Sequence, residues 1–227
     1  MGKIAKLIKK ITINIPDGHE YYCGEYKDGL AEYVYIQTNE GTIMDGKFRF
    51  YSNHDSETYY KAEGIFERGK KYGFWQFETK TSDGVTKLYV NFINGIIEGD
   101  VEYNYEPSKT SNMKSIHILA YVSKEYINGK IVGRINGGQF KGWCDEYGHP
   151  DNEWSLTVKS GGKKMEIHKE IWQHGKLIDS FTENQKGERK NIVSTDLRDH
   201  LNNIFSYDCW KIMSIIGDND IIYIPKK

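Results

Sequence analysis

A glycine that follows an aromatic residue by three positions recurs along the chain. The stretch 64–77, GIFERGKKYGFWQF, shows the whole unit, in which Phe66 precedes Gly69, and Gly73 and Trp75 follow. Other copies carry Asp-Gly or Asn-Gly at the glycine, and such pairs between apolar alternations predict β-hairpin turns. The recurrence therefore predicts a chain of repeated antiparallel hairpins. The repeat positions are Tyr26 and Gly29; Phe66, Gly69, Gly73 and Trp75; Phe92, Gly95 and Gly99; Tyr126, Gly129 and Gly133; and Trp172 and Gly175.

The two glycines of a unit are expected to do different things. The first, as at Gly69, supplies the positive φ that a tight hairpin turn requires. The second, as at Gly73, falls inside the returning strand, where glycine usually marks a close approach of backbone or ring. We therefore predict that Gly73 is a packing notch for a neighbouring aromatic ring.

The unit resembles the MORN repeat, whose bacterial variant runs roughly G-x-[FYW]-x-x-G-x-x-x-G-x-[FYW]. The resemblance covers residues 20–185 and is degenerate, because Tyr33 and Asp179 replace the second glycine in two copies. Further half-units appear at Gly46 with Phe48 and at Gly138 with Phe140. The resemblance implies an elongated sheet of hairpins, and it implies little about function beyond the membrane association often linked to such proteins.

Composition favours a folded protein without a nucleic-acid partner. The 227 residues include 17 tyrosines, and 31 basic residues against 32 acidic ones give a net charge of −1. This balance disfavours binding to nucleic acid through bulk charge. The three cysteines, Cys23, Cys144 and Cys209, lie far apart and predict no disulfide framework. No apolar run approaches the roughly 20 residues of a membrane span, and a reducing cytoplasm is the expected location.

Three regions are predicted. Residues 1–19 form a basic N-terminal segment or cap, 20–190 the MORN-like hairpin repeats, and 191–227 a C-terminal cap. In the cap, 195–206 has the periodicity of a helix and is followed by a hairpin around Gly-Asp-Asn-Asp. The fold class is thus all-β with a short helical cap. Two alternatives stay open: residues 3–10 could lie as an amphipathic helix on an anionic membrane, and 191–227 could be a small effector domain.

The densest polar cluster spans residues 143–154, between Trp143 and Trp154. Carboxylates and a histidine together could act as acid and base or hold a cation. A solvated hairpin tip has the same composition, and it is the favoured interpretation, with no metal expected. The candidate site residues, if the protein is an enzyme, are Asp145, Glu146, His149, Asp151 and Glu153.

The favoured function is a non-catalytic, protein-binding or scaffold module that presents an aromatic-rich sheet face. No nucleophile, phosphate-binding or zinc-protease motif occurs in the chain. No cofactor is expected, and the expected partner is another protein. A peripheral membrane protein using the basic N-terminus and an enzyme acting at 143–154 are the two alternatives.

Overall fold

The structure is a computed structural model that describes residues 14–53, 58–112, 115–123, 126–135, 138–160, 164–191 and 221–222. Within these ranges the protein is all-β, and its strands form one long open antiparallel sheet of consecutive hairpins. The fold class predicted from the repeat is therefore confirmed. The predicted helix at 195–206 and the alternative amphipathic helix at 3–10 both lie outside the described residues. None of the described residues belongs to a helix that could cross a membrane.

The strands follow one another across the sheet in chain order, with two short strands added at the side. Their bounds are β1 Glu20–Tyr26, β2 Gly29–Thr38, β3 Gly41–Asn53, β4 Tyr59–Glu67, β5 Lys70–Thr81, β6 Gly84–Ile93, β7 Ile96–Pro107, β8 Ile116–Ser123, β9 Tyr126–Ile127, β10 Gly129–Ile135, β11 Gly138–Cys144, β12 Pro150–Ser160, β13 Lys164–Gln173, β14 Lys176–Asn184, β15 Arg189–Asn191 and β16 Ile221–Ile222. Strand β9 pairs with β8, and β16 pairs with the start of β3.

Three of the five repeat glycines occupy the predicted turns. Gly69, Gly95 and Gly175 each follow a residue with positive φ and have φ near +80° themselves. Two consecutive positive φ values define the type I′ turn, whose twist matches that of the strands it joins. Each turn glycine also donates its N–H to a carbonyl of an earlier strand, at 2.8–2.9 Å. The turns are thus held to the neighbouring hairpin as well as to their own.

The turns near Gly29 and Gly129 lie elsewhere than predicted. In the first hairpin Tyr26 pairs with Gly29, so the turn residues are Lys27 and Asp28, and Gly29 begins β2. A Cβ at Gly29 would stand 2.3 Å from the carbonyl oxygen of Tyr51, so this glycine permits close strand approach. In the β8–β9 hairpin Ser123 already pairs with Tyr126. Gly129 is therefore not a turn residue of this hairpin but the first residue of β10, where it pairs with Cys144.

The prediction that Gly73 is a packing notch is wrong. A Cβ at Gly73 would meet nothing within 4 Å, but φ is +66°. Between the pairs Glu63↔Gln76 and Ile65↔Tyr72, β5 carries extra residues that β4 lacks, so Gly73 belongs to a β-bulge. Bulges with a positive-φ residue recur in β3, β7 and β12, at Gly46, Gly99 and Asn152. The second glycine therefore serves backbone conformation at Gly73 and Gly99. At Gly133 it permits close strand approach, because a Cβ there would be 2.3 Å from the carbonyl oxygen of His117.

The relative stabilities of two variants at Gly73 distinguish a left-handed bulge residue from a packing notch. We expect Gly73→Ala to lower the free energy of unfolding by about 1–2 kcal/mol, the cost of a left-handed backbone for an L-residue. Gly73→Asn should cost less than alanine, because asparagine tolerates this region. Urea unfolding of both variants is the measurement. A packing notch would reverse the order, since the larger asparagine would then be the more destabilising.

The ring notches lie at other glycines. A Cβ at Gly64 would be 2.1 Å from Cδ2 of Trp75, and one at Gly142 would be 2.4 Å from Cδ2 of Trp154. In both places the indole N–H donates to the carbonyl of the residue after the glycine, Ile65 at 3.0 Å and Trp143 at 2.7 Å. The same arrangement of glycine and indole thus occurs twice, once between β4 and β5 and once between β11 and β12.

The core is a continuous band of apolar side chains on one face of the sheet, here called the inner face. Aromatic rings contact one another from strand to strand, with ring centroids 5.8 Å apart for Phe48 and Trp75, and 5.5 Å for Phe140 and Trp154. Such pairs add to the stabilisation that burial of apolar area provides. Alternate residues of each strand point to the opposite, outer face.

Candidate functional site

The loop 145–149, which joins β11 to β12, contains the first three predicted site residues. The Oδ1 atom of Asp145 accepts hydrogen bonds from the backbone N–H groups of Tyr147 and His149, both at 2.9 Å. The backbone N–H of Asp145 donates in turn to the carbonyl of His149. Asp145 thus closes the loop on itself, which is a frequent role of aspartate in turns.

Two histidine rings approach the other oxygen of Asp145. Nδ1 of His149 lies 3.3 Å from Oδ2, and Nδ1 of His174, from the β13–β14 turn, lies 3.4 Å from it. Partial burial opposes ionisation of Asp145, but the N–H groups of His149 and Tyr147 and the His174 ring outweigh it and lower its pKa. The carboxylate therefore joins the loop to the neighbouring turn.

The other predicted site residues do not join this cluster. Oδ1 of Asp151 accepts the backbone N–H of His174 at 3.0 Å, as Asp45 accepts that of Arg68 at the equivalent turn. Glu153 lies on the outer face, 3.3 Å from Lys169. The side chain of Glu146 is exposed. Among the described residues, no three His, Cys, Asp or Glu side chains are placed to hold a metal ion.

The nearby Cys144 has the properties of a core residue. Its side chain is buried on the inner face. Burial, with a smaller effect of Asp145, raises the pKa of the thiol to about 12. A thiol in this state is protonated at neutral pH and is a poor nucleophile. The geometry around 143–154 therefore supports a structural hairpin tip.

Replacing Asp145 should have a pH-dependent effect on stability. Since the folded pKa lies below the usual value, the carboxylate stabilises the fold above the ordinary aspartate pKa of about 3.9. This contribution is lost as the pH falls through the folded pKa. We expect Asp145→Ala to lower the urea midpoint at pH 7, and the difference from the wild type to shrink below about pH 4.

The matched control is Glu146→Ala, which removes an exposed carboxylate from the same loop. Its urea midpoint should follow that of the wild type across the pH range. A difference for Asp145→Ala that stays constant between neutral and acidic pH would contradict the role assigned to its charge.

The described aromatic residues of the repeat build the core. Tyr26, Phe66, Trp75, Phe92 and Trp172 are all buried on the inner face. They are therefore unavailable to a partner. Exposed aromatic side chains lie instead on the outer face, as at Phe74, and in the loop at Tyr147. The side chain of Tyr126 lies outside the described set.

The outer face carries an apolar patch that the repeat pattern did not reveal. Five of its large side chains, on β4 to β7, are 43–61% exposed. In the register Ile65 pairs with Tyr72, and Ile93 with Ile96. Strand alternation was the signal that could have shown them, because each is next to a buried residue of its own strand. We call this set the outer apolar row: Ile65, Tyr72, Phe74, Ile93 and Ile96.

A shallow depression of about 400 Å³ adjoins the row and is partly lined by Ile65 and Phe74. Two cations, Lys47 and Arg49, and two carboxylates, Glu32 and Glu63, line it. Arg49 lies 2.7 Å from Glu63 and 3.3 Å from Glu32. Tyr21 donates a hydrogen bond to Glu32 at 2.6 Å. The depression therefore has no net charge and borders the outer apolar row.

Comparison with known proteins does not assign the chain to a family. The chain matches no protein-family model, and no curated protein shows significant similarity to it.

Proposed function

We propose that this protein is a non-catalytic, protein-binding repeat module and that the outer apolar row contacts its partner. The observation that carries the proposal is the set of five large apolar side chains exposed together on a hydrogen-bonded sheet. Contiguous apolar surface on a folded chain is typical of interaction sites. The partner is a different protein with an apolar contact surface.

The arrangement suits binding at low entropic cost. The strands that carry the row are paired on both sides, so their backbone is already ordered before a partner arrives. Phe74 stacks on Tyr89, with ring centroids 5.9 Å apart and an interplanar angle of 17°. Large rings held in this way are frequent energetic centres of interfaces. The paired charges of Arg49, Glu32 and Glu63 supply a polar rim.

We also propose that the hairpins are degenerate MORN-like repeats and that the protein acts in the cytoplasm. The recurring bulge, turn and notch positions support the first statement. The free thiols of Cys23 and Cys144 support a reducing compartment.

The test uses single lysine substitutions in and outside the row. Phe74→Lys and Ile96→Lys place a charge within it, and Ile178→Lys places the same charge at an exposed isoleucine of β14. Affinity capture from the native host is followed by identification and purification of the captured protein. Calorimetry with that protein should show binding to the wild type and Ile178→Lys, and at least tenfold weaker binding to both row variants.

Equal binding by all four proteins would contradict the proposal, as would equal loss in Ile178→Lys. Sedimentation of the purified chain provides the second readout. Concentration-dependent dimerisation that Phe74→Lys abolishes would assign the row to self-association and overturn the proposed hetero-partner.

A further inference from the structure

A second depression lies on the outer face over β8, β10, β11 and β12, with a volume of about 560 Å³. Three permanent cations and a histidine line it, and no carboxylate does. This composition differs from the first depression, where glutamates balance the arginine. We call its cationic residues the basic groove: His117, Lys130, Arg134 and Lys141.

The register brings these cations together. Arg134 pairs directly with His117, and Gln139 is the partner of Arg134 on the other side. Lys141 is therefore a diagonal neighbour of Arg134, and by the same register it is diagonal to Lys130, which pairs with Trp143. Diagonal neighbours on one face lie about 7–8 Å apart, so the charges repel one another in the unbound protein.

Within the described residues, few carboxylates lie close enough to balance the positive charge of the basic groove. Among these residues the side chains of Lys130 and Arg134 form no ion pair, whereas Arg49 of the first depression has two glutamates. Lys141 reaches Glu153 only at 3.9 Å, and Glu153 is closer to Lys169. His117 lies 3.4 Å from Glu102. An incoming anionic group would therefore relieve repulsion and gain charge-assisted hydrogen bonds.

The groove also offers aliphatic surface. Leu119 and Val132 pair with each other between the cations, and both line the depression. Leu119 is substantially exposed, as is Trp143 opposite Lys130. A ligand that complements this surface presents negative charges and aliphatic side chains together on one face. In an extended peptide such side chains are two residues apart, and a repeat of two acidic residues and one leucine places both kinds on the same face.

We propose that the basic groove binds an acidic, leucine-containing segment of a partner protein in an extended conformation. The surface between the cations is aliphatic, formed by Leu119 and Val132, and the exposed ring of Trp143 lies at its end, opposite Lys130. This favours a peptide over a nucleic acid, whose successive bases bind by stacking on a series of aromatic rings. The inference extends the proposed protein-binding function to a second surface, and it is tested on variants that leave the outer apolar row intact.

The probe is a fluorescent synthetic peptide of repeated Glu-Leu-Asp triplets, and binding is followed by fluorescence anisotropy. Wild-type protein should bind it with an affinity that falls at higher salt. Arg134→Glu combined with Lys141→Glu should weaken binding by at least tenfold. The matched control combines Lys176→Glu with Lys190→Glu, which changes the net charge equally at exposed positions of β14 and β15. That control should bind within about twofold of the wild type.

Phe74→Lys, in the outer apolar row, should bind the peptide as the wild type does. A result that contradicts peptide binding by the basic groove can thereby be distinguished from one that contradicts partner binding by the outer apolar row. Circular dichroism and thermal melting check that each variant is folded. If the double glutamate variant does not fold, Arg134→Gln with Lys141→Gln takes its place, and it should also weaken binding.

Absence of peptide binding to the wild type would overturn the proposal, and so would equal weakening by the control pair. Unchanged binding to the groove variants would do the same. Tighter, groove-dependent binding of a single-stranded oligonucleotide than of the peptide would assign the groove to nucleic acid instead.

Discussion

Gly64→Ala should lower the free energy of unfolding by about 3 kcal/mol, at the upper end of the usual cost of overpacking a core. The added Cβ would lie 2.1 Å from Cδ2 of Trp75. The indole has no room to retreat, because it is fully buried and its N–H donates to the carbonyl of Ile65. Phe66 contacts the ring edge-on, with centroids 5.1 Å apart. Urea unfolding provides the measurement.

The specificity of this clash can be tested by a double-mutant cycle. In a Trp75→Ala background the ring is gone, so Gly64→Ala should add little further destabilisation. Contacting residues commonly show coupling energies of about 0.5–3 kcal/mol, and a value in the upper part of that range is expected here. Equal costs in the two backgrounds would mean that the alanine acts through the strand backbone and not through the indole.

Trp154→Ala should destabilise the protein by about 3–5 kcal/mol, as is usual for truncation of a buried tryptophan. Trp154→Phe should cost less, because the ring largely fills the site and mainly the hydrogen bond to Trp143 is lost. Such a bond contributes about 0.5–1.5 kcal/mol. The effect should be local, since repeat proteins are stabilised chiefly by contacts between neighbouring units.

Native-state hydrogen exchange can show this locality. In Trp154→Ala, amides of β11 to β13 should exchange faster, while amides of β2 to β5 keep their protection. Trp143→Ala is the control, because Trp143 points to the outer face and is half exposed. Uniform acceleration over all strands would contradict the local model and indicate that the sheet opens as one cooperative unit.

Local chemistry was enough to predict the class of fold. Asn-Gly and Arg-Gly steps at Gly95 and Gly69 adopt the two positive φ values of a type I′ turn. Their flanking strands alternate apolar and polar residues, so the burial of alternate positions follows from the pleat. The shift of the turn at Gly129 was not predictable in this way, because the aromatic-to-glycine spacing there matches the other units while the strands pair in a different register.

The candidate site was less accessible to sequence reasoning. Polar residues are dense at 143–154, and hydrogen bonds of Asp145 and Asp151 to backbone N–H groups explain much of that density. The outer apolar row and the basic groove consist of residues far apart in the chain. Their members, such as Ile65 and Ile96 or His117 and Lys141, lie on one surface only because of the strand order and register.

The sequence by itself determined the all-β architecture and most turn positions, because turn propensity and strand alternation act over a few residues. Only the tertiary structure decided the roles of the remaining glycines. Gly73 and Gly64 look alike in sequence, but one adopts a left-handed bulge conformation and the other lies beneath Trp75. The physical reason is that a bulge or a ring contact depends on how two strands pair, and pairing is set by packing across the whole sheet.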